Sequence, residues 1–367
     1  MPSEPSAPRE KQRATLTRSS TLVRMVGIAV VILGVVATFL YLGGWFSPHK
    51  LTPARFVNEF QRVNGRYSGF RRNHAKGVCV RGFFDSNGQG TRLSKAVVFR
   101  SGRVSVIGRF SIGGGDPYAS DALSDVRGLG LQYSLPDGEE WRTAMINLPV
   151  FPFKDAQAFY DNLVASEPDR KTHQPDPAKG AAFLASHPET ARALGIIKSH
   201  ALSSGFDNST FYGLNAFRFS NEDGTTIPVR WTLVPVQPLE PASATGASQD
   251  KNFLFDGLIA SFLQHPLQWH LILTLGQPGD PTNDATIQWP EGRETVDVGT
   301  LTLDSVESEE TSPARDINFD PLVLPDGIAP SDDPLLSARS AIYSKSFTRR
   351  AGEKKRPSAI TPSDIRK

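Results

Sequence analysis

An α+β fold is the architecture this sequence predicts: an antiparallel β-barrel or large sheet with surrounding helices, preceded by one transmembrane helix. Three observations predict it. Residues 25–46 form an uncharged run of 22 residues behind a basic segment. From residue 76 onward, short apolar runs alternate with turn residues, the pattern of hairpins rather than crossovers. Between residues 154 and 202, and again at 254–264, the spacing becomes helical.

The chain then divides into residues 1–24, a basic segment; 25–46, the membrane span; 47–350, the folded domain; and 351–367, a basic tail. A helix over 25–46 is about 30 Å long, the thickness of a bilayer core. Tyr41 and Trp45 sit where amphipathic aromatics favour the headgroups. Arg9, Lys11, Arg13, Arg18 and Arg24 precede the span against Glu4 and Glu10. The positive-inside rule places them in the cytoplasm and the domain outside. A cleaved signal peptide is the alternative, but the apolar run is long and lacks a good small-x-small cleavage site. The expected location is a bacterial inner membrane, single-pass, with the C-terminal domain in the periplasm.

Thr52-Pro53 opens a helix that gathers Phe56, Val57 and Phe60 on one face. Val78 to Phe84 leads into the turn signal Asp85-Ser86-Asn87-Gly88. Apolar runs at 96–99 and 104–110 continue the meander, with further strands at 128–134 and 143–148. Residues 154–165, 181–184 and 189–202 read as helices, and 169–179 as a polar, proline-rich loop. Strands return at 210–219, 226–235 and 270–276. Residues 241–251 form another loop before the helix at 254–264. The tail after residue 350 carries five basic and two acidic side chains and reads as frayed and solvated.

Composition narrows the function. A formal charge of +2 gives no nucleic-acid surface. The single cysteine, Cys79, excludes an internal disulfide and a cysteine metal cluster. No Walker loop or dinucleotide fingerprint is present. The 22 phenylalanines suffice for a core or for the walls of an apolar cofactor pocket.

The chemistry-bearing runs are Arg71-Arg72-Asn73-His74-Ala75-Lys76-Gly77, Gly108-Arg109-Phe110-Ser111, Asn147-Leu148-Pro149-Val150-Phe151 and Arg339-Ser340-Ala341-Ile342-Tyr343, followed by Arg349-Arg350. A histidine can exchange protons near neutrality. If residues 339–343 are helical, i,i+4 spacing sets Arg339 against the Tyr343 oxygen.

In their order and spacing these runs resemble haem catalases, and more closely the small catalase-related peroxidases, over roughly residues 50–350. The resemblance implies a catalase-like barrel and haem b as cofactor. It makes His74 the distal acid–base, Asn147 the amide that orients peroxide, and Ser111 the residue that holds the histidine ring. Tyr343 becomes the iron ligand, with Arg339 favouring its phenolate. Arg71, Arg109 and Arg350 become the ligands of the haem carboxylates, with Arg72 and Arg349 as register alternatives. Phe151 and Phe153 match aromatics near the distal pocket. Asn73 stands where the family usually has valine. Asn215 stands where full catalases have a proximal histidine.

The chain stops soon after Arg350, whereas full catalases continue. The expected activity is therefore a peroxidase that reduces hydrogen peroxide or an organic hydroperoxide while oxidising an organic donor, with weak catalase activity. The alternatives are rearrangement of fatty-acid hydroperoxides, as in allene oxide synthases, and a non-enzymatic haem- or ligand-binding barrel. A homodimer is the expected assembly, and no nucleic-acid partner is expected.

Overall fold

Alternating burial along successive strands builds the domain, and the computed structural model describes it over residues 18–43, 50–169, 171–172, 174–242 and 250–365. Two compact units are present, residues 1–52 and 53–367. In the first, helix α1 spans Arg18–Leu42. Its stretch Thr21–Leu42 is long and apolar enough to cross a membrane. The helix ends short of the expected boundary, because Gly43 closes its last turn onto the Phe39 carbonyl at 2.8 Å. Residues 1–17 of the basic segment and 44–46 of the expected span, with Trp45, lie outside the described residues.

The second unit opens with α2 (Pro53–Asn64), which buries Phe56, Val57 and Phe60 as its spacing requires. Strands β1 (Gly77–Ser86), β2 (Gly102–Ile112), β3 (Arg127–Ser134) and β4 (Glu140–Ile146) form an antiparallel meander. The connection after β4 carries α3 (Ala156–Ala165), α4 (Pro177–Ser186) and α5 (Pro188–Ser199). Asp155 caps α3 by accepting from the Ala158 amide, and Asp176 caps α4 in the same way from Ala178. Next come β5 (Phe211–Tyr212), β6 (Phe217–Ser220), β7 (Thr226–Pro235), α6 (Phe253–Gln264), β8 (Leu267–Leu275) and β9 (Thr295–Glu307). Because β9 returns to β1 and β7 also pairs with β8, eight strands close into a barrel. Closure leaves no free edge around the ring. Strand β6 and β10 (Ile328–Pro330) extend from β7, and α7 (Pro334–Ala351) follows.

Large aromatics fill the barrel. Tyr133 stacks on Trp141 at 4.8 Å, and Trp231 stacks on Phe217 at 4.3 Å. On the outer face the registry sets small residues in rows. Gly77, Ser111, Gly128 and Ile146 stand side by side across β1–β4, and the next row is Cys79, Arg109, Gly130 and Ala144. This small-residue floor positions the site.

Four expectations change. Residues 96–99 form a short 3-10 turn at Val97–Phe99, with Val98 and Phe99 buried. The expected strand 210–219 breaks into β5 and β6, because Leu214 adopts a left-handed φ of 66° and the chain leaves the ladder. Strand β9 had no counterpart in the sequence reading, since Gly299 and its acidic residues obscure its alternation. The tail after residue 350 is docked rather than frayed. Ile360 is fully buried, and its carbonyl accepts from Ser308 Oγ at 2.8 Å. Burying such a side chain contributes about 1.5–3 kcal/mol, enough to hold a short tail. Within the expected loop 241–251, residues 243–249 lie outside the described residues, as do 170 and 173 of the loop at 169–179.

Candidate active site

Between the outer floor of β1–β4 and helix α7 lies a cavity of about 500 Å³. Helix α7 faces it with one stripe: Leu335, Ala338, Arg339, Ile342, Tyr343, Ser346, Phe347 and Arg350. That stripe is the i, i+3/i+4 rhythm of a helix. Asp333 starts the helix by accepting from the Leu335 amide at 2.9 Å, with Pro334 in the first turn.

His74 reaches the cavity from the loop before β1 in a left-handed conformation, φ 54°. Few non-glycine residues adopt it, and here the surroundings impose it. The Ala75 amide donates to the Gly114 carbonyl, and Asn73 Oδ1 accepts from the Gly114 amide. Arg109 donates to the carbonyls of His74 and Ala75 at 2.9 and 3.0 Å. His74 Nδ1 lies 3.1 Å from Ser111 Oγ. Burial, and then the charges of Arg109, Arg71 and Arg339, push the imidazole down to about pKa 4. It is therefore a neutral base throughout the ordinary range. Lowered affinity for protons keeps it neutral above about 4, so the rate of reaction with peroxide should be level from pH 8 to 5 and fall as pH drops through 4. Stopped-flow rates across that range check this, and a rate that already falls near pH 6.5 would count against it.

From α7, Arg339 donates to Asn215 Oδ1 at 2.5 Å, to the Ala144 carbonyl of the floor at 2.8 Å and to Tyr343 Oη at 3.5 Å. Asn215 in turn donates to Asp333 Oδ2 at 2.7 Å. Burial raises the Asp333 carboxyl above its usual range. The break between β5 and β6 delivers Asn215 to Arg339 and Asp333.

At the side of the cavity, Arg71, Arg109 and Arg350 converge. Arg350 is lowered to about 10, and Arg71 falls well below its usual value, each by burial first and then by neighbouring arginines. Of the register alternatives, Arg72 pairs with Glu353 at 2.5 Å, and Arg349 turns to Gln61 Oε1 at 2.8 Å. Arg71 and Arg350 both line the cavity beside Arg109. Phe151 and Phe153 stand on the wall, 5.6 Å apart, and Phe153 stacks on Phe159 at 4.7 Å.

Asn147 stands just after β4, between Ile146 and Leu148, which line the cavity. It does not line the cavity; its Oδ1 accepts from the Arg127 amide at 2.8 Å and its Nδ2 donates to the Asp125 carbonyl at 3.0 Å. These bonds fix the amide beside the start of β3 and use one of the two Nδ2 hydrogens, leaving the second as a donor. Sequence reasoning missed Glu309. It is buried, and it accepts from Arg109 Nε at 2.7 Å and from Arg71 Nη1 at 3.3 Å. No motif marks it; its only signal is an acid within Glu307-Ser308-Glu309-Glu310. Cys79 is inert, with burial pushing its thiol up to about 12.

These residues fit haem. A Cβ on Gly130 would fall 2.8 Å from the Phe319 ring, and one on Gly128 would fall 3.0 Å from His74 Nδ1. Glycine there lets Phe319 and His74 pack directly against the floor at the edge of the cavity. The arginines outnumber the buried acid beside them, which suits a ligand that brings carboxylates.

Comparison with known proteins agrees. The catalase family model matches residues 47–357. The chain is 36% identical to the catalase-related peroxidase of Synechococcus elongatus over 90% of this chain and 94% of that one. It is 32% identical to the catalase-related peroxidase of Mycolicibacterium paratuberculosis over 82% of this chain and 96% of that one. Catalase A from Saccharomyces cerevisiae superposes with a TM-score of 0.71 at 19% identity, covering 82% of this chain and 64% of that chain.

Proposed function

The chain belongs to the catalase family, whose members bind haem, and is an oxidoreductase of the catalase or peroxidase type; from that membership we propose that it is a haem b-dependent peroxidase. It reduces hydrogen peroxide or an organic hydroperoxide and oxidises an organic donor. The observation that carries this reading is the arrangement of His74–Ser111 across one cavity from Tyr343–Arg339, with Arg71, Arg109 and Arg350 at its side.

When bound there, haem supplies the iron and the redox capacity for peroxide cleavage. Arg71, Arg109 and Arg350 would hold its carboxylates, and Tyr343 Oη would ligate the metal. Arg339 would set its cation against that oxygen and favour the phenolate. With His74 Nδ1–H donating to Ser111 Oγ, Nε2 is left with a lone pair. It accepts a proton from incoming peroxide and returns it to the departing oxygen. The donor contributes two electrons and two protons, and hydrogen peroxide leaves as two waters. Asn215 in the proximal network cannot titrate, unlike a histidine, so Arg339 is held by a neutral partner. Leu123, which lines the cavity and is 79% exposed, makes an apolar rim suited to organic donors. We place the domain on the periplasmic side of a bacterial inner membrane, with Thr21–Leu42 as its anchor.

Oxygen release and oxidation of phenolic or aromatic-amine donors should be measured side by side on the haem-loaded protein. Donor oxidation is expected to dominate, with slow oxygen release. Rapid oxygen release without donor oxidation would sink the peroxidase reading.

A further inference from the structure

Glu309 is an acid in a place built for an anion. Its side chain is 3% exposed and shares Oε1 between Arg109 and Arg71. Arg350, the third arginine of the group, is bound to the Arg315 carbonyl at 2.6 Å and the Ile317 carbonyl at 3.2 Å. Its nearest acid, Asp316, lies 3.8 Å away, is half-exposed and is already paired with Lys355. Arg315 itself lies over the Phe70 ring and donates to the Arg356 carbonyl. Three guanidiniums less one buried carboxylate leave two positive charges.

We propose that Glu309 is a positioning residue that sets the charge of this anion site, so that a ligand bearing two carboxylates neutralises it. The proposal rests on the haem reading above. Two ligand carboxylates and Glu309 sum to minus three against plus three. Without Glu309 the empty site would carry three charges instead of two, and the filled site one instead of none. The self-energy of buried charge grows with its square. The empty site therefore loses more than the filled one, nine against four compared with one against zero. By linkage, removing the Glu309 charge tightens retention of the dianionic ligand. It also leaves a net positive charge beside the cofactor, which favours the reduced state.

The test uses full-length haem-loaded protein as wild type, Glu309→Gln and Glu309→Asp. Haem transfer to excess apomyoglobin and the ferric/ferrous midpoint potential are measured for each. Glu309→Gln should retain haem at least about tenfold more tightly, consistent with a buried charge pair, and its potential should shift to more positive values. Glu309→Asp should behave like wild type. Unchanged or faster haem loss in Glu309→Gln would overturn the proposal, because a carboxylate that only filled space or braced two side chains would give that result. A wild-type protein that takes up no haem would overturn the underlying reading instead.

Discussion

Replacing Tyr343 with phenylalanine is expected to abolish the spectrum of tyrosinate-ligated ferric haem and to weaken haem retention roughly 100-fold or more. Loss of an outer-shell partner already costs about 10–100-fold in metal affinity, so loss of the ligand itself should exceed that. The phenyl ring keeps its place in the stripe of α7, between Ala338–Arg339 and Ser346–Phe347, so the helix should remain folded. Far-UV circular dichroism separates the two effects. The absorption spectrum decides the point, and a folded variant with the wild-type haem spectrum would refute ligation by Tyr343.

Removal of the His74 imidazole has the second-largest expected effect. His74→Ala should retain haem, because Tyr343 and the arginines are untouched, yet react with peroxide about 10²–10⁴-fold more slowly. Position 74 has φ 54°, so alanine is strained there. His74→Asn is the better-tolerated companion, since asparagine visits that region more readily. Both variants should show the same loss in stopped-flow mixing with hydrogen peroxide. A rate within a few-fold of wild type in a haem-loaded variant would remove His74 from proton transfer.

Much of the site was legible because its residues lie in short runs with local meaning. Arg339 and Tyr343 stand one helical turn apart, and the helix that joins them is real. His74 and Ser111 meet because β1 pairs with β2, and the alternation of both strands was visible. Asn147 shows the limit. Its place in the chain suggested a polar group for peroxide, but not that its Oδ1 and one Nδ2 hydrogen are held by the backbone of Arg127 and Asp125, which no periodicity reveals. Glu309 is the converse case. It lies 200 residues from Arg109, and nothing local distinguishes it from the acids beside it. The docked tail belongs with it, since burial of Ile360 depends on a surface made by distant residues.

The sequence by itself determined the membrane-spanning length of the first helix, the antiparallel character of the strands and the identity of the groups that can bear charge or exchange protons. Those properties follow from hydrophobic period, turn chemistry and side-chain type, all of which act over a few residues. Only the tertiary structure decided which charged groups meet. Closing the barrel laid Gly128 and Gly130 beneath a cavity, broke one strand to bring Asn215 to Arg339, and set Glu309 among the arginines. The physical reason is that the cost of a buried charge depends on every charge near it, wherever each stands in the chain.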